Sequence, residues 1–242
     1  MSEPMPLMYE RLAPWFHLLS PPEDYDEEAV ELRGLLEAVA DAPVVEVLEL
    51  GSGGGSLASR FEPGLRLTLT DPAVGMLKLS EGINPDAEHI VADMRDMRLG
   101  RTFDAVLVHD AITYMRTEAE LRAAFETAYA HVRPGGGAVF APDWVLDTYA
   151  PAAESGGSDD EAGRGVRFLE WDRPVEADGV TVMTDYVIVT READGTTEVF
   201  HDEHRLGIFT RETWLRLLRD VGFEARIVDG AQGLDIFVAT RR

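Results

Sequence analysis

From Pro43 onward, short apolar runs alternate with amphipathic stretches, and this alternation is the feature that most constrains the fold. Such a pattern is typical of repeated βα units around a mainly parallel sheet. A turn is expected at 133–136, where the sequence is Arg-Pro-Gly-Gly. The predicted strands of this region are 44–50, 65–70, a short one ending near Val91, 103–109 and 137–141, and the predicted helices are 56–61, 73–79 and 117–132.

The second half of the chain has a different pattern. Residues 152–165 are rich in Gly, Ser, Asp and Glu, which predicts a mobile surface loop. Alternation of β-branched or aromatic residues with polar ones then predicts an antiparallel meander with turns at 177–179 and 193–195. Thr210 is expected to cap a helix that ends at Gly222. The predicted meander strands are 168–171, 180–190 and 197–208, and a last pair of strands is predicted at 224–228 and 234–240.

Composition excludes several classes of protein. The chain has 22 Lys and Arg against 45 Asp and Glu, a net charge of −23, with no basic run that would bind a phosphate backbone. It has no cysteine, which excludes disulfides, iron–sulfur clusters, thiolate zinc sites and cysteine nucleophiles. No apolar stretch approaches the ~20 residues of a membrane span, and the N-terminus lacks the pattern of a signal peptide. We therefore expect a cytoplasmic protein that binds neither nucleic acid nor membranes.

A glycine-rich segment, Glu49-Leu50-Gly51-Ser52-Gly53-Gly54-Gly55, follows the first predicted strand and precedes a predicted helix. Glycines at such a turn let the backbone approach a ligand, and the following N–H groups can bind it. The spacing is acid-x-Gly-x-Gly-x-Gly, whereas the dinucleotide-binding fingerprint is Gly-x-Gly-x-x-Gly. A simple tight turn remains an alternative from this segment alone.

Two further acidic residues follow the next predicted strands. Asp71 follows strand two, where a carboxylate can accept both ribose hydroxyls of an adenosine and can also cap a helix. Asp93 follows strand three, where it can accept from an adenine amino group. An acid, a glycine loop and two more acids at successive strand ends predict an adenosine-type ligand at this edge of the sheet.

These residues resemble the class I S-adenosylmethionine-dependent methyltransferases, whose pattern is Glu/Asp-x-Gly-x-Gly-x-Gly, an acid after strand two and Gly/Ala-Asp-Met after strand three. The resemblance implies a Rossmann-like methyltransferase fold, with S-adenosylmethionine as cofactor and S-adenosylhomocysteine as product. The chain is further similar to the N,N-dimethyltransferases of amino-deoxysugar biosynthesis in Asn84-Pro85-Asp86-Ala87, Asp93-Met94-Arg95-Asp96, Leu99-Gly100-Arg101, Pro142 with Trp144, and His204-Arg205 before Phe209-Thr210-Arg211-Glu212. This second likeness runs from Asp24 to Leu234.

The resemblance implies roles for residues at the sheet edge. Glu49 and the glycines would hold the methionine part and the ribose face, Asp71 the ribose diol, and Asp93 with Met94 the adenine. His109 would lie near the sulfonium methyl. The predicted cofactor-binding residues are Glu49, Gly51, Ser52, Gly53, Gly55, Asp71, Pro72, Met76, Asp93, Met94 and His109.

Two positions depart from the sugar family. Thr113-Tyr114 stands where that family has Gly-His, and Asp143-Trp144 stands where it has paired tryptophans. Both changes lie on the acceptor side, so methyl transfer is expected even where the acceptor differs.

Candidate catalytic residues are His109, Tyr114 and His204, which are expected to orient an amine or take its proton. The predicted substrate-binding residues are Tyr9, Trp15, Asp110, Trp144 and His204.

Other notable residues have structural interpretations. In His201-Asp202-Glu203-His204 the period of two places neighbours on opposite faces of a strand, so no metal site is predicted. Trp171 is expected in the core. Tyr9, Trp15 and Phe16 form an aromatic cluster that either covers the cofactor or only packs.

The predicted fold is an α/β, doubly wound, mainly parallel seven-stranded sheet with an antiparallel β insertion between strand five and the last helix. The whole chain, 1–242, is predicted to be one methyltransferase domain. Its parts are an N-terminal helical lid at 1–42, a cofactor-binding core at 43–145 and 209–242, and a loop with an antiparallel substrate roof at 146–208.

The sequence thus predicts transfer of a methyl group from S-adenosylmethionine to a small-molecule acceptor, an amine such as that of an amino sugar. A non-catalytic S-adenosylmethionine-binding or interaction module and a nicotinamide-dependent oxidoreductase are the alternatives. The stretch after the fourth strand lacks Asp/Asn-Pro-Pro-Tyr, which disfavours a methylase of adenine or of glutamine amides. An acidic cleft raises the pKa of a bound amine, so a pH optimum above neutrality is expected. We expect a monomer or a homodimer.

Overall fold

The computed structural model describes residues 5–61 and 63–242, apart from the side chain of Gln232, so residues 1–4 of the predicted lid lie outside the described residues. The strands are β1 Glu46–Leu50, β2 Arg66–Asp71, β3 Glu88–Val91, β4 Phe103–His109, β5 Val132–Ala141, β6 Ala153–Gly156, β7 Gly165–Asp172, β8 Thr181–Arg191, β9 Thr197–Gly207, β10 Phe223–Asp229 and β11 Asp235–Arg241. The helices are α1 Phe16–Leu19, α2 Asp26–Val39, α3 Val74–Ile83, α4 Glu118–His131 and α5 Arg211–Val221. Short 3-10 turns cover Leu7–Tyr9, Ala13–Trp15, Pro22–Tyr25, Ala58–Arg60, Asp110–Tyr114 and Ala231–Gly233.

Seven strands form the large sheet, in the order β10-β11-β5-β4-β1-β2-β3. The pairs among β1 to β5 are parallel, whereas β11 is antiparallel to both β5 and β10. The prediction of a doubly wound, mainly parallel seven-stranded sheet is confirmed. Since parallel strands end at the same edge, the segments after β1, β2, β4 and β5 meet there.

Both faces of the large sheet are covered by helices, as a parallel sheet requires. Leu48 and Val106 belong to the core cluster that includes buried residues of α4 and α5. Val47 and Leu107 lie one position away, on the opposite face, and pack with buried residues of α2. The central strands are therefore apolar on both sides, which explains their unbroken hydrophobic sequence.

A second sheet follows β5 and has the order β6-β7-β8-β9, with every pair antiparallel. Its Val166, Ile188 and Phe200 pack against Met8 and Trp15 of the N-terminal segment. The predicted antiparallel insertion is present, and its inner face is covered by the beginning of the chain.

Helix α5 begins and ends where the sequence predicts. The Thr210 hydroxyl accepts a hydrogen bond from the backbone N–H of Thr213, and Gly222 ends the helix with φ +116°. Only glycine adopts this left-handed conformation without a steric cost, so the chain turns there into β10.

Four local predictions were wrong. Residues 153–156 of the predicted loop form β6, because their backbone pairs with β7. The helix expected at 56–61 is only a 3-10 turn at Ala58–Arg60. The turn expected at 133–136 lies within β5, where the register with β4 shifts. Trp171 is 61% exposed, because the period of two places it on the outer face of β7.

Among the described residues, none of the helices combines the length and the apolar character that crossing a bilayer requires.

Candidate active site

A cavity of about 1180 Å³ lies at the carboxyl edge of the large sheet. Its walls are the glycine loop after β1, the segments after β2, β4 and β5, the inner face of the second sheet and the N-terminal segment. Pockets that hold a single small ligand usually measure ~300–1,000 Å³, so the cavity has room for a cofactor and an acceptor together.

The glycine loop is held against the end of β2. The backbone N–H groups of Gly51 and Ser52 donate to the carbonyl of Thr70 at 2.8 and 2.9 Å. Gly51 has φ +76°, and a Cβ added there would lie 2.4 Å from the Cβ of Ala111 and 2.8 Å from the Cε of Met94. A side chain at this position would therefore strain the backbone and collide with two neighbours.

Asp71 joins the end of β2 to this loop. Its Oδ2 accepts from the N–H of Gly53 at 3.0 Å, and its Oδ1 accepts from the N–H of Ala73 at 2.8 Å. Burial raises the pKa of Asp71 despite these two donors. Each carboxylate oxygen retains a lone pair, so the predicted capping role and a bond to a ribose hydroxyl are compatible.

Glu49, at the carboxyl end of β1, is buried, and among the described residues neither its Oε2 atom nor the hydroxyl of Ser52 has a hydrogen-bond partner. Burial raises the pKa of Glu49 to about 7. Buried polar atoms are normally hydrogen-bonded, so these two fit a ligand that brings its own donors. The α-ammonium of a bound amino acid moiety is such a donor and would stabilise the ionised carboxylate.

Asp93 has a partner that the sequence did not predict. Its carboxylate accepts from the guanidinium and the backbone N–H of Arg95, and Arg95 also pairs with Glu120 at 2.9 Å. The hydrogen bonds from Arg95 outweigh burial and lower the pKa of Asp93. Asp93 is therefore ionised at the cavity edge, beside Met94.

His109 ends β4 among carboxylates. Its Nε2 lies 2.9 Å from Oε1 of Glu28 on α2 and 3.0 Å from Oδ1 of Asp110. Burial alone would lower the pKa of His109, but Asp110 and Glu28 outweigh it and raise this pKa to about 10. His109 is therefore an imidazolium at neutral pH, so it can donate a hydrogen bond but cannot act as a base.

Asp110 and Asp143 form a carboxyl pair between the ends of β4 and β5. Their side chains are hydrogen-bonded to one another, which requires that the pair share a proton. Burial raises the pKa of both, and for Asp143 the charge of Asp110 adds to the effect. The sequence identified Asp143 only as a departure from the sugar family; its position directly after β5 was the signal for a site residue.

A chain of side-chain hydrogen bonds lines the acceptor side of the cavity. The hydroxyl of Tyr9 lies 2.8 Å from that of Tyr114, which lies 2.7 Å from Nδ1 of His204. The Nε2 of His204 lies 3.1 Å from Oδ2 of Asp202. Burial raises the pKa of both tyrosines, so they remain protonated.

The N-terminal segment also contacts the glycine loop. The imidazole Nε2 of His17 lies 2.9 Å from the carbonyl oxygen of Gly54, and the hydroxyl of Ser56 donates to the carbonyl of Ser20 at 2.9 Å. Tyr25 lies edge-on to His109, with ring centroids 6.2 Å apart. Glu28 and Tyr25 were not predicted, because these contacts are long-range in sequence and no local motif marks them.

Most predicted site residues line this cavity, and three do not. Gly55 packs under Ser80 and Asn84, and its carbonyl accepts from the Asn84 amide. Met76 is fully buried in a small cluster below the loop, and Trp15 packs between the second sheet and the guanidinium of Arg164. The predicted residues that line the cavity are Tyr9, Glu49, Gly51, Ser52, Gly53, Asp71, Pro72, Asp93, Met94, His109, Asp110, Tyr114, Trp144 and His204.

Strand β9 alternates as predicted, with Asp202 and His204 buried and His201 and Glu203 exposed. On the outer face, His201 and Glu203 lie near Asp185, with one ligand atom of each within 4.8 Å of the others. Arg173 pairs with both Asp185 and Glu203, so a protein cation already neutralises this cluster.

The cavity fits the cofactor that the sequence implies, and comparison with known proteins agrees. The methyltransferase domain family matches residues 47–136, which include the glycine loop and β4. A curated relative, dTDP-3-amino-3,6-dideoxy-alpha-D-glucopyranose N,N-dimethyltransferase of Streptomyces fradiae, is 32% identical over 215 residues, covering 86% of this chain and 81% of the relative. This chain belongs to the S-adenosylmethionine-dependent methyltransferases.

Solved structures support the fold of this methyltransferase along its length. DesVI of Streptomyces venezuelae matches with a TM-score of 0.85 and 22% identity, covering 96% of this chain and 98% of that one. CalS10 of Micromonospora echinaspora, an amino pentose methyltransferase solved with S-adenosylmethionine bound, matches with a TM-score of 0.79 and 25% identity over the whole of both chains. The predicted enzyme class and cofactor are therefore confirmed, and the similarity to amino-deoxysugar N,N-dimethyltransferases is confirmed with them.

Proposed function

We propose that this methyltransferase methylates the amino group of a small, nucleotide-linked amino sugar. The observation that carries the proposal is the carboxyl pair Asp110–Asp143, which faces the cavity at the strand ends where the acceptor must meet the methyl donor. An amine arrives from water mainly as an ammonium ion, and a cavity-lining pair that carries negative charge attracts it. A hydroxyl acceptor can hydrogen-bond to the pair but is uncharged, so the pair attracts it less strongly.

Residues of the large sheet are proposed to hold the cofactor. Bound S-adenosylmethionine supplies a methyl group already activated on a sulfonium. Glu49 would accept from the α-ammonium, Asp71 from the ribose hydroxyls, and the glycine loop would lie against the ribose face. The protein then has to align the acceptor with the methyl and exclude water, which requires little acid–base chemistry.

His109 is proposed to hold the Asp110 carboxylate in position rather than to take a proton from the amine. Its raised pKa keeps it charged, and Glu28 with Asp110 fix its ring at the end of β4. The imidazolium therefore holds the Asp110 carboxylate in place beside the acceptor. Tyr114 and His204 are left as the groups that take the proton of the amine.

The acceptor side of the cavity is strongly acidic. Carboxylates lie along the segments after β4 and β5 and on the second sheet. Such a wall raises the pKa of a bound ammonium, so the neutral, reactive amine becomes abundant only above neutral pH. The acidic residues on this side are Glu10, Asp110, Asp143, Glu154, Glu170, Asp172 and Glu203.

The amino sugar proposal rests on the relatives, whose names specify amino sugars. The residues that differ from the sugar family, Tyr114 and Asp143, both contact the acceptor space. We infer that the reaction is shared with those enzymes and that the position or neighbourhood of the amine differs. Residues 5–42 are proposed to act as the lid and 146–208 as the roof.

The test is methyl transfer from S-adenosylmethionine to dTDP-linked 3-amino and 4-amino deoxysugars, with the matching hydroxy sugars beside them, detected by mass spectrometry. We expect methylated amines and unmodified hydroxy sugars. Methylation of the hydroxy sugars alone would overturn the proposal. Cofactor binding without turnover of any acceptor would favour a binding module.

A variant links this activity to the carboxyl pair. The double variant Asp110→Asn/Asp143→Asn removes the single negative charge of the proton-sharing pair and is expected to raise KM for the amine about tenfold, while leaving cofactor affinity unchanged. Asp41→Asn removes the same formal charge at an exposed ion pair far along the chain and serves as the control. Equal KM values for the two variants would contradict the role of the carboxyl pair.

A further inference from the structure

The hydrogen-bond chain on the acceptor side has a direction that Asp202 determines. Asp202 is buried, and hydrogen bonds from His204 and from two backbone N–H groups outweigh burial and lower its pKa, so it is ionised and only accepts. The Nε2 of His204, 3.1 Å away, must therefore carry the proton. In neutral His204 the lone pair then lies on Nδ1.

This tautomer of His204 determines in which direction each tyrosine hydroxyl donates its hydrogen bond. Because Nδ1 of His204 has no proton, Tyr114 must donate its O–H across the 2.7 Å contact. The Tyr114 oxygen is then free to accept the O–H of Tyr9 across 2.8 Å. The Tyr9 oxygen, at the end of the hydrogen-bond chain opposite Asp202, also lines the cavity and is left to accept a hydrogen bond from the acceptor.

We propose that Asp202 is a positioning residue that makes Tyr9, Tyr114 and His204 a one-way proton path leading away from the acceptor amine. This inference rests on the proposed function and adds to it the route and the residue that orients it. Its geometric basis is three consecutive contacts of 2.8, 2.7 and 3.1 Å between buried or cavity-lining groups.

The step balances without any redox partner. An N–H bond of the acceptor ammonium breaks and its proton goes to the Tyr9 oxygen, while the Tyr9 proton passes to Tyr114 and the Tyr114 proton to Nδ1 of His204. The electron pair of the broken bond remains on nitrogen, which can then attack the methyl group. His204 becomes an imidazolium against the Asp202 carboxylate and later releases its proton when the products leave.

The surroundings of His204 suit a proton that arrives from the tyrosines. Tyr9 from the N-terminal segment, Tyr114 from the turn after β4 and Tyr186 from β8 all pack on its ring, with centroids 5.6, 6.0 and 4.6 Å away. The Tyr186 hydroxyl in turn is hydrogen-bonded to Glu170. Both tyrosines of the path stay neutral, so they pass a proton on rather than hold a charge.

The Asp202 carboxylate also binds the N-terminal segment that contains Tyr9, the first residue of the proton path. The backbone N–H of Leu7 donates to Oδ1 of Asp202 at 3.0 Å, and that of Met8 donates to Oδ2 at 2.8 Å. Tyr9 follows directly. Asp202 therefore fixes the place of Tyr9 and the tautomer of His204 at once, and the path exists only when the N-terminal segment is docked.

Kinetics of the full-length enzyme test the path. With the amine acceptor identified above, Asp202→Asn and Tyr114→Phe are each expected to lower kcat at least about tenfold with KM changed less than about threefold. The double variant is expected to be no slower than the slower single variant, because a broken path cannot be broken twice. If the two kcat losses multiply, Asp202 and Tyr114 act independently and the proposal is overturned.

The matched control is Asp104→Asn. Asp104 is equally buried and accepts two backbone N–H groups, from Val45 and Glu46, and a cationic side chain, Arg133, at the opposite edge of the large sheet. Asp104→Asn should lower thermal stability about as much as Asp202→Asn does, and it should leave kcat within about twofold of the parent value. A kcat loss equal to that of Asp202→Asn would overturn the proposal.

A second measurement does not depend on the acceptor. Nitrogen-15 NMR of the imidazoles, with S-adenosylhomocysteine present and His204 assigned from His204→Gln, is expected to show the proton on Nε2. A proton on Nδ1 would reverse the chain and overturn the path even if amines are methylated. Conversely, an Nε2 proton with no turnover of any amine would contradict the proposed function and leave the hydrogen-bond direction established.

Discussion

The imidazole Nε2 of His109 lies 2.9 Å from Oε1 of Glu28, a contact between residues 81 positions apart that joins the end of β4 to helix α2. It fixes the N-terminal helix at the edge of the large sheet where the cavity opens. The charge of His109 depends on this carboxylate and on Asp110.

Glu28→Gln is expected to lower stability by ~1 kcal/mol near pH 6, a value discounted because Glu28 is partly exposed. The pKa of His109 is raised, so its contribution is complete below its ordinary value and is lost as pH rises through about 10. The pKa of Glu28 is lowered, so its contribution is lost in acid. Thermal melts at pH 6 and pH 10 should show a smaller difference between variant and parent at the higher pH. Glu37→Gln, which breaks an exposed pair with Arg33 on the same helix, should change neither melt.

Glu49→Gln is expected to stabilise the cofactor-free enzyme and to weaken cofactor binding. The pKa of Glu49 is raised to about 7 by burial, so the cost of its charge is present above that pH and fades as pH falls toward its ordinary value. At pH 8 the gain should be ~2 kcal/mol, and at pH 5 it should be near zero. Calorimetric titration with S-adenosylhomocysteine should show affinity rising between pH 6 and 8 in the parent and not in the variant. A parent affinity that is flat over this range would contradict the assignment of Glu49 to the ammonium.

Gly51→Ala is expected to destabilise the enzyme by ~3 kcal/mol, since it adds a left-handed strain and a collision with Ala111 and Met94. Cofactor binding should be lost with it. Gly100→Ala is the control, because Gly100 also has a positive φ, +69°, but a Cβ there meets open space. It should cost only ~1 kcal/mol and leave binding intact. Denaturant melts and cofactor titrations on both variants distinguish strain from collision.

Trp15→Ala is expected to cost ~3 kcal/mol of stability while leaving KM for the acceptor within about twofold, because Trp15 packs outside the cavity. Trp171→Ala, at the exposed tryptophan of β7, should change stability by less than ~0.5 kcal/mol. A large rise in KM for Trp15→Ala with unchanged stability would restore its predicted contact with the substrate.

The site residues that the sequence places at strand ends line one cavity. A parallel sheet brings the ends of β1, β2 and β4 together whatever the loops do, so Glu49, Asp71 and His109 reach one cavity. Because alternate residues of a strand face opposite sides, the sequence likewise predicts that His204 faces the pocket from β9. These inferences depend only on backbone geometry, which local sequence patterns record.

The contacts that the sequence did not predict join distant segments. Nothing near Glu28 marks it as the partner of His109, and nothing near Asp202 marks it as the acceptor for Leu7 and Met8. The prediction that Trp171 lies in the core was wrong, because its register on β7, not its hydrophobicity, determines its exposure. Side-chain pairing across the fold is set by packing of whole elements and has no local signature.

The bond from the backbone of Leu7 to Asp202 spans 195 positions of the chain. During synthesis the N-terminal segment therefore leaves the ribosome long before the strand on which it docks. The segment that contains Tyr9 cannot dock until β9 has been made and has paired with β8. The side of the cavity that Tyr9 lines is thus completed only after β9 has been made, well after the glycine loop and β1 to β5 have left the ribosome.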